Sequence, residues 1–273
     1  MRVIFSRKGF DSGAGGCPSP MVSGRPISFP IPTKMPSVDR YSDLPGDVPR
    51  MVVDLSRGKI RAERFCHLDP DLDSSVKLRA ENWRGSLGQV SAAASHLRNQ
   101  NVGTGDLFLF WGLYQAAKFS TRWTFSGPKE HRIFGWLQVG AVRQIGTDPC
   151  PVLTEFPWLE GHPHLEQGWD ETNTIYVARE ELRIDGISSH YPGWGLFNPG
   201  YRLTEKDSRL PSTWEVPLWL NPLCDGTGMS YNPAERWSGM GTLRSAARGQ
   251  EFVADIGDGK DAINWLGQLF EDA

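Results

Sequence analysis

Two apolar runs near the middle of the chain constrain the fold more than any other feature. "DLFLFWGLY" (residues 106–114) and "HRIFGWLQVGAVRQI" (residues 131–145) are dense in aromatic and β-branched side chains, and a polar stretch joins them. They read as two strands of an antiparallel pair, and "NTIYVA" (residues 173–178) reads as a third. Glycines within the pair permit sharp bending. Helical spacing is clearest between residues 86 and 99, where Val90, Ala93, Ala94 and Leu97 recur and "NQNVGTGD" stops the run. A short amphipathic helix is expected in "KDAINWLGQLFEDA", while "TLRSAARGQEFVADI" reads as helical at its start and strand-like at its end.

Upstream, "MRVIFS" is a short strand pattern that runs into the glycine-rich "SRKGFDSGAGGCPSP". The next stretch, "GRPISFPIPTKMPSVDRYSDLPG", carries five prolines and must be extended, irregular chain. Only "PISFPIP" alternates, and it suits an edge strand. Long loops of this kind often line a site. No repeat of 20–50 residues is present. The expected class is α+β: a central bent antiparallel sheet or a small barrel, with a few peripheral helices and long loops. The whole chain, residues 1–273, reads as one unit with its barrel-like β core at about 104–180.

Hydrophobic residues make up 39% of the chain and charged residues 22%, enough to bury a core. A net charge of −3 argues against a broad basic surface for duplex DNA, although a local basic groove stays open. No apolar run reaches the roughly 18 residues that a spanning helix needs, and the N-terminus lacks a signal-peptide pattern. Cys17, Cys66, Cys150 and Cys224 are dispersed without a CxxC pair, which disfavours a zinc site built from thiolates and fits reduced thiols. The expected location is cytoplasmic, with no membrane partner.

Four segments carry residues suited to chemistry. In the first, the glycines Gly9, Gly13, Gly15 and Gly16 free backbone N–H groups to form an anion-binding nest beside Arg7, Lys8, Asp11 and Ser12. Neither phosphate fingerprint fits: Lys8 precedes the glycines, and "CPSP" opposes an immediate helix. The plain alternative is a multi-glycine turn. The second, "CHLDPDLD", offers His67, Asp69, Asp71 and Asp73 to a cation, a substrate or a proton, or is an acidic turn. The third, "EGHPHLEQGWDE", places His162 and His164 two apart; a zinc ion there needs a third ligand such as Asp69 or Glu166. No metal and no cofactor is assigned from these patterns. The fourth gathers Arg236, Arg244, Arg248 and Gln250 near Trp237, either for phosphate and base recognition or as a solvated face paired with Glu235 and Glu251.

The strand pair "GDLFLFWG…IFGWLQVG" resembles, over about 40 residues, the small barrels of the PUA, ASCH and EVE group, several of which read modified or unpaired bases. Trp111, Tyr114 and Trp136 would then be stacking platforms, with core packing as the alternative.

Over nearly its whole length the chain resembles the bacterial and phage nucleotide modification associated domain family, third type. The blocks that carry the resemblance are "SRKGFDSGAGGCPSP", "GRPISFPIP", "GQVSAAASHL", "GDLFLFWG", "IFGWLQVG", "NTIYVA" and "RGQEF". The resemblance implies a role in systems that make, edit or recognise modified bases, with nucleotides or modified DNA as partners; it implies no particular reaction. Arg7, Lys8, Asp11 and Ser12 become the foremost site candidates, followed by His67, Asp69 and Arg248–Gln250. The leading expectation is an enzyme acting on a nucleotide or flipped base, by N-glycosidic cleavage or group transfer. In it the glycines (Gly13, Gly15, Gly16) and Ser12 hold phosphate, Asp11 serves as acid–base carboxylate, and Arg7 and Lys8 stabilise negative charge. The alternatives are a non-catalytic reader of modified bases and an interaction subunit of a modification complex.

Overall fold

The central apolar runs pair with each other in a long antiparallel hairpin. In the computed structural model, which describes residues 1–34, 37–166, 168–187, 190–239, 241–257 and 259–271, that hairpin is the middle of a nine-stranded sheet. Its strands are β1 (Arg2–Arg7), β2 (Ser19–Val22), β3 (Arg25–Pro26), β4 (Ser86–Gln89), β5 (Leu107–Phe119), β6 (Trp123–Gln144), β7 (Thr174–Ala178), β8 (Trp194–Arg202) and β9 (Glu251–Asp255). The main path runs β9-β1-β5-β6-β7-β4, with β8 on β6 and the β2–β3 hairpin on β5. All pairings are antiparallel except β1 and β2 against β5. Among the described residues four α-helices lie around the sheet: α1 (Val48–Leu55), α2 (Ser91–Asn99), α3 (Cys150–Glu155) and α4 (Lys260–Glu271).

The unbroken apolar stretch of β5 follows from burial on both faces. Leu107, Leu109 and Trp111 point to one side with Val3, Phe5 and Phe252, beneath α4. That helix buries Ala262, Trp265, Leu266, Leu269 and Phe270, the stripe expected at 3.6-residue periodicity. Phe108 and Phe110 point to the other side with Ile4, Leu87, Tyr176 and Leu97 of α2. A satellite core of Phe10, Phe29, Tyr41, Met51 and Val52 ties the proline-rich segment and α1 to the sheet.

The sheet is strongly bent. Its terminal strands, β4 and β9, come close enough for Gln89 Nε2 to donate to Glu251 Oε1 at 2.6 Å, yet no backbone ladder joins them. No sheet among the described residues closes into a barrel; the architecture is α+β around an open, curled sheet. Two local expectations are corrected. Residues 86–89 form β4 rather than the first turn of a helix, because their backbone pairs with β7 and α2 starts at Ser91. The "TLRSAARG" segment is a three-residue strand, Thr242–Arg244, followed by turns rather than a helix. No described helix is long and apolar enough to cross a membrane.

Both ends of the glycine-rich loop are fixed on β5. Arg7 pairs with Trp111 and Ser19 with Tyr114, and the Lys8 amide donates to the Trp111 carbonyl at 2.8 Å. Residues 8–18 therefore form an excursion from one edge. Within it, Asp11 Oδ1 accepts from the amides of Gly13 and Ala14, both at 2.7 Å, and the Gly16 amide donates to the Asp11 carbonyl at 2.9 Å. The nest is filled by the loop's own carboxylate. Gly15 has φ +82°, and a Cβ there would sit 2.3 Å from the Phe10 ring, so no larger residue fits the turn.

Asp11→Ala removes the acceptor for two amides, a loss of about 1–2 kcal/mol readable as a lower urea midpoint; Asp11→Asn, which keeps an oxygen there, should lose less than half as much. His131 gives a second expectation. The Trp214 indole N–H donates to its Nδ1 at 2.9 Å, and burial, with the Arg7 charge nearby, pushes its pKa down to about 3. The folded state thus resists protonating it, and its stabilisation is complete above the unfolded pKa near 6.5 and is lost as pH falls toward 3. Between pH 7 and 5 the wild type should lose about 2 kcal/mol on this account. His131→Gln should lack that increment in paired urea titrations.

Candidate functional site

Five separate segments meet at the bent end of the sheet. Lys8 leaves β1, Gln250 and Glu251 enter β9, Gly88 and Gln89 end β4, His67 ends the short strand Cys66–His67 with Asp69 just beyond it, and His162 caps the 3-10 turn Pro163–Leu165 that contains His164. They enclose a polar cavity of about 240 Å³, lined among others by Arg7, Lys8, Asp11, His67, Asp69 and Gln250. A second, mainly apolar cavity of about 340 Å³ adjoins it, walled by Phe29, Pro30, Leu44, Met51, Phe134 and Leu196. Gly9 and Asp69 line both cavities.

Asp69 is the centre of the polar cavity. Its side chain is 4% exposed, and its Oδ1 accepts from the Gly88 amide at 2.6 Å. Burial alone would raise its pKa; the facing His162 ring and the Lys8 charge outweigh that and hold the carboxyl well below the usual range. His67, Asp69 and His164 each present a ligand atom, and these three atoms lie within 4.8 Å of one another.

The orientation of His164 is dictated by its surroundings. Asn173 Nδ2 donates to the His164 carbonyl at 2.8 Å, so its Oδ1 is the atom 2.7 Å from His164 Nδ1 and accepts from it. The ring proton is thereby placed on Nδ1, and Nε2 keeps its lone pair. Trp169 stacks on the same ring, centroids 4.5 Å apart and planes 3° from parallel. Gly88 must be glycine here, since a Cβ would meet the His164 ring at 2.1 Å. Burial pushes the His164 pKa down to about 3, and His67 is likewise lowered by burial. Both rings are neutral at physiological pH.

His162 backs Asp69 from behind. Its Nδ1 accepts from the His164 amide at 3.2 Å, which leaves the proton on Nε2. That nitrogen sits 3.5 Å from Asp69 Oδ1, is buried, and has no partner in hydrogen-bonding geometry.

On the opposite wall, Lys8 Nζ lies 3.4 Å from Glu251 Oε1, with its side chain 10% exposed. Glu251 Oε1 also accepts from Ser6 Oγ at 3.0 Å and from Gln89. Burial pushes the Glu251 carboxyl up, and Lys8 and Ser6 pull it part of the way back. Lys8 is held with its charge at the cavity wall, and Arg7 lies beside it, 3.9 Å from Asp11 Oδ2.

Arg7, Lys8, Asp11, His67, Asp69 and Gln250, with Gly9 and His164, line one cavity; other candidates sit elsewhere. Ser12, Gly13 and Gly16 are exposed, Gly15 packs on Phe10, and Arg248 is exposed. Trp111 is 1% exposed, edge-on to Trp214 in the core, with no face left for a base; Tyr114 and Trp136 are also core residues. In the acidic turn, Asp71 is taken by a bidentate pair with Arg79, at 2.6 and 2.5 Å, and Asp73 Oδ1 caps Ser75. Only Asp69 of the three lines the polar cavity, Asp71 and Asp73 lining the apolar one, and it, not Glu166, groups with a histidine of the HPH pair. Gln89, Trp169 and Asn173 went unnoticed in the sequence. Glu251 carried a signal: it is a charged residue directly before the apolar run Phe252–Ala254.

No curated protein and no solved structure matches the chain. A family model does, over residues 2–255 of 273, a span that takes in β1 through β9 and every side chain of the polar cavity. The chain belongs to the nucleotide modification associated domain 3 family.

Proposed function

We propose that the chain is an enzyme that takes up a single nucleotide, free or extruded from DNA, and carries out hydrolytic or group-transfer chemistry on it, N-glycosidic cleavage being one such reaction. The observation that carries this reading is the junction of two unlike cavities. The polar one holds two cations, Arg7 and Lys8, facing a buried cluster of imidazoles and a carboxylate. The apolar one has the aromatic and aliphatic walls that a base requires. A nucleotide is similarly divided, with an anionic end and a flat, weakly polar end.

In this reading Lys8 and Arg7 hold phosphate or stabilise charge that develops at the reacting centre. Asp69 and the histidines stand where the bond is broken. Asp11 shapes the loop that carries the cations, because its oxygens are occupied by Gly13, Ala14 and Arg7. A net charge of −3 favours capture of one nucleotide over gripping a long duplex. The same apolar cavity would serve a non-catalytic reader of a flipped modified base, and this is the second reading.

Incubation with nucleoside phosphates and with oligonucleotides carrying modified bases, followed by mass spectrometry, separates the two. Accumulating product identifies an enzyme; tight binding of modified over plain DNA with no covalent change identifies a reader. Lys8→Gln, which keeps a donor toward Glu251 but removes the charge that balances it, should cut kcat/KM by about 10²–10³, with a lowered melting temperature but the far-UV circular dichroism of folded wild type. Unchanged turnover in that variant would remove Lys8 from the assigned role.

A further inference from the structure

We infer that His67, Asp69 and His164 form a binding site for one divalent first-row metal ion of the zinc type. The inference requires no nucleotide and no turnover; it concerns what the polar cavity itself holds.

Three features converge on it. The donor set is two imidazoles and a carboxylate, the mixture that zinc takes at catalytic centres with three protein ligands. Its imidazoles select against magnesium and calcium, which prefer oxygen. The three atoms lie within 4.8 Å of each other, and ligands about 2.0–2.2 Å from a shared tetrahedral ion stand about 3.3–3.6 Å apart. Side-chain rotations that draw the atoms in by about 1 Å close the set.

The groups behind the ligands are arranged as metal sites require. Asn173 accepts the Nδ1 proton of His164 and is itself oriented by the His164 carbonyl, so Nε2 is the coordinating atom; outer hydrogen bonds of this kind fix the tautomer of metal-bound histidines. His162 turns its Nε2–H toward Asp69 Oδ1 but remains 3.5 Å away, buried and unpartnered. The Gly88 amide also takes Oδ1, and Oδ2 makes no hydrogen bond among the described residues. The His67 ring nitrogens likewise make none. Asp69 Oδ2 and a ring nitrogen of His67 thus offer the cavity lone pairs that no hydrogen bond among the described residues uses, and an ion placed there takes them.

All three ligands line the cavity rather than closing around an interior point. This is the open arrangement of a catalytic ion, with room for water or substrate, not the four-ligand cage of a structural one. The ion would add Lewis acidity at the wall facing Lys8.

The test uses the full chain, stripped with chelator and dialysed, with Zn²⁺ followed by calorimetry and Co²⁺ by visible absorption, both without nucleotide. One equivalent should bind, with Co²⁺ giving d–d bands. Asp69→Asn, which keeps an oxygen for the Gly88 amide, and His67→Ala should each abolish the bands while far-UV circular dichroism stays as in wild type. His162→Gln should weaken binding by roughly 10–100-fold, and His96→Gln, outside the cavity, should change nothing. The inference is overturned if folded wild-type protein binds no Zn²⁺, if Mg²⁺ is preferred, or if Asp69→Asn and His67→Ala bind Zn²⁺ as wild type does. Failure of the nucleotide reading would leave this result untouched, since no step of the test involves substrate.

Discussion

A buried carboxylate oxygen holds the functional end of this molecule together. Glu251 Oε1 receives Ser6 from β1, Lys8 from the loop beyond it, and Gln89 from the far edge of the sheet. The first two are neighbours by sheet order; the third is not, and it arrives because the sheet curls enough to bring its terminal strands together. One acceptor thereby sets the curvature, aims Lys8 at the cavity and places β4 so that Gly88 can serve Asp69. A buried charge with several donors is costly to disrupt, because removing one partner leaves the rest uncompensated. The cavity exists where that cost is concentrated.

The two walls divide the electrostatic labour. On the β1–β9 side a fixed positive charge is balanced by a carboxylate at its back. On the side of His67, Asp69 and His164 the groups facing the cavity are lone-pair donors, held neutral or anionic by burial and by the contacts behind them. On the function proposed above, such walls suit a ligand that is anionic at one end and coordinated or attacked at the other. The chamber beyond Asp69, mainly apolar but with Arg25, Asp47 and Asp73 also on its lining, adds shape selectivity.

Much of this was legible in the sequence, in a particular way. The long hairpin announced itself because both its faces are buried, and α4 because one of its faces is. Lys8, His67, Asp69 and the HPH pair stood out as reactive residue types in turn-rich segments. The misreadings have physical causes. Residues 86–89 share the helical spacing of α2, but a partner strand nearly ninety residues away claims their backbone. Trp111 has the chemistry of a stacking platform and the location of a core residue, a distinction that only packing can make. The glycine loop does build an anion nest, and Asp11 within the same loop occupies it. Gln89 and Glu251 are 162 positions apart, and no local pattern foretells such a pairing.

The attachment of β1 and β2 to the same edge of β5 has one more consequence. Arg7 lies opposite Trp111 and Ser19 opposite Tyr114, so the two segments behave as a single strand that has been opened and refilled with residues 8–18. Insertions or deletions within that refill would leave the register of the sheet intact, since both of its flanks are anchored independently. With Phe10 kept in its satellite core, the exposed residues of the loop, Ser12, Gly13 and Gly16, can vary in size and charge without renegotiating the packing. The cavity rim is free to diverge at this point while the scaffold stays the same.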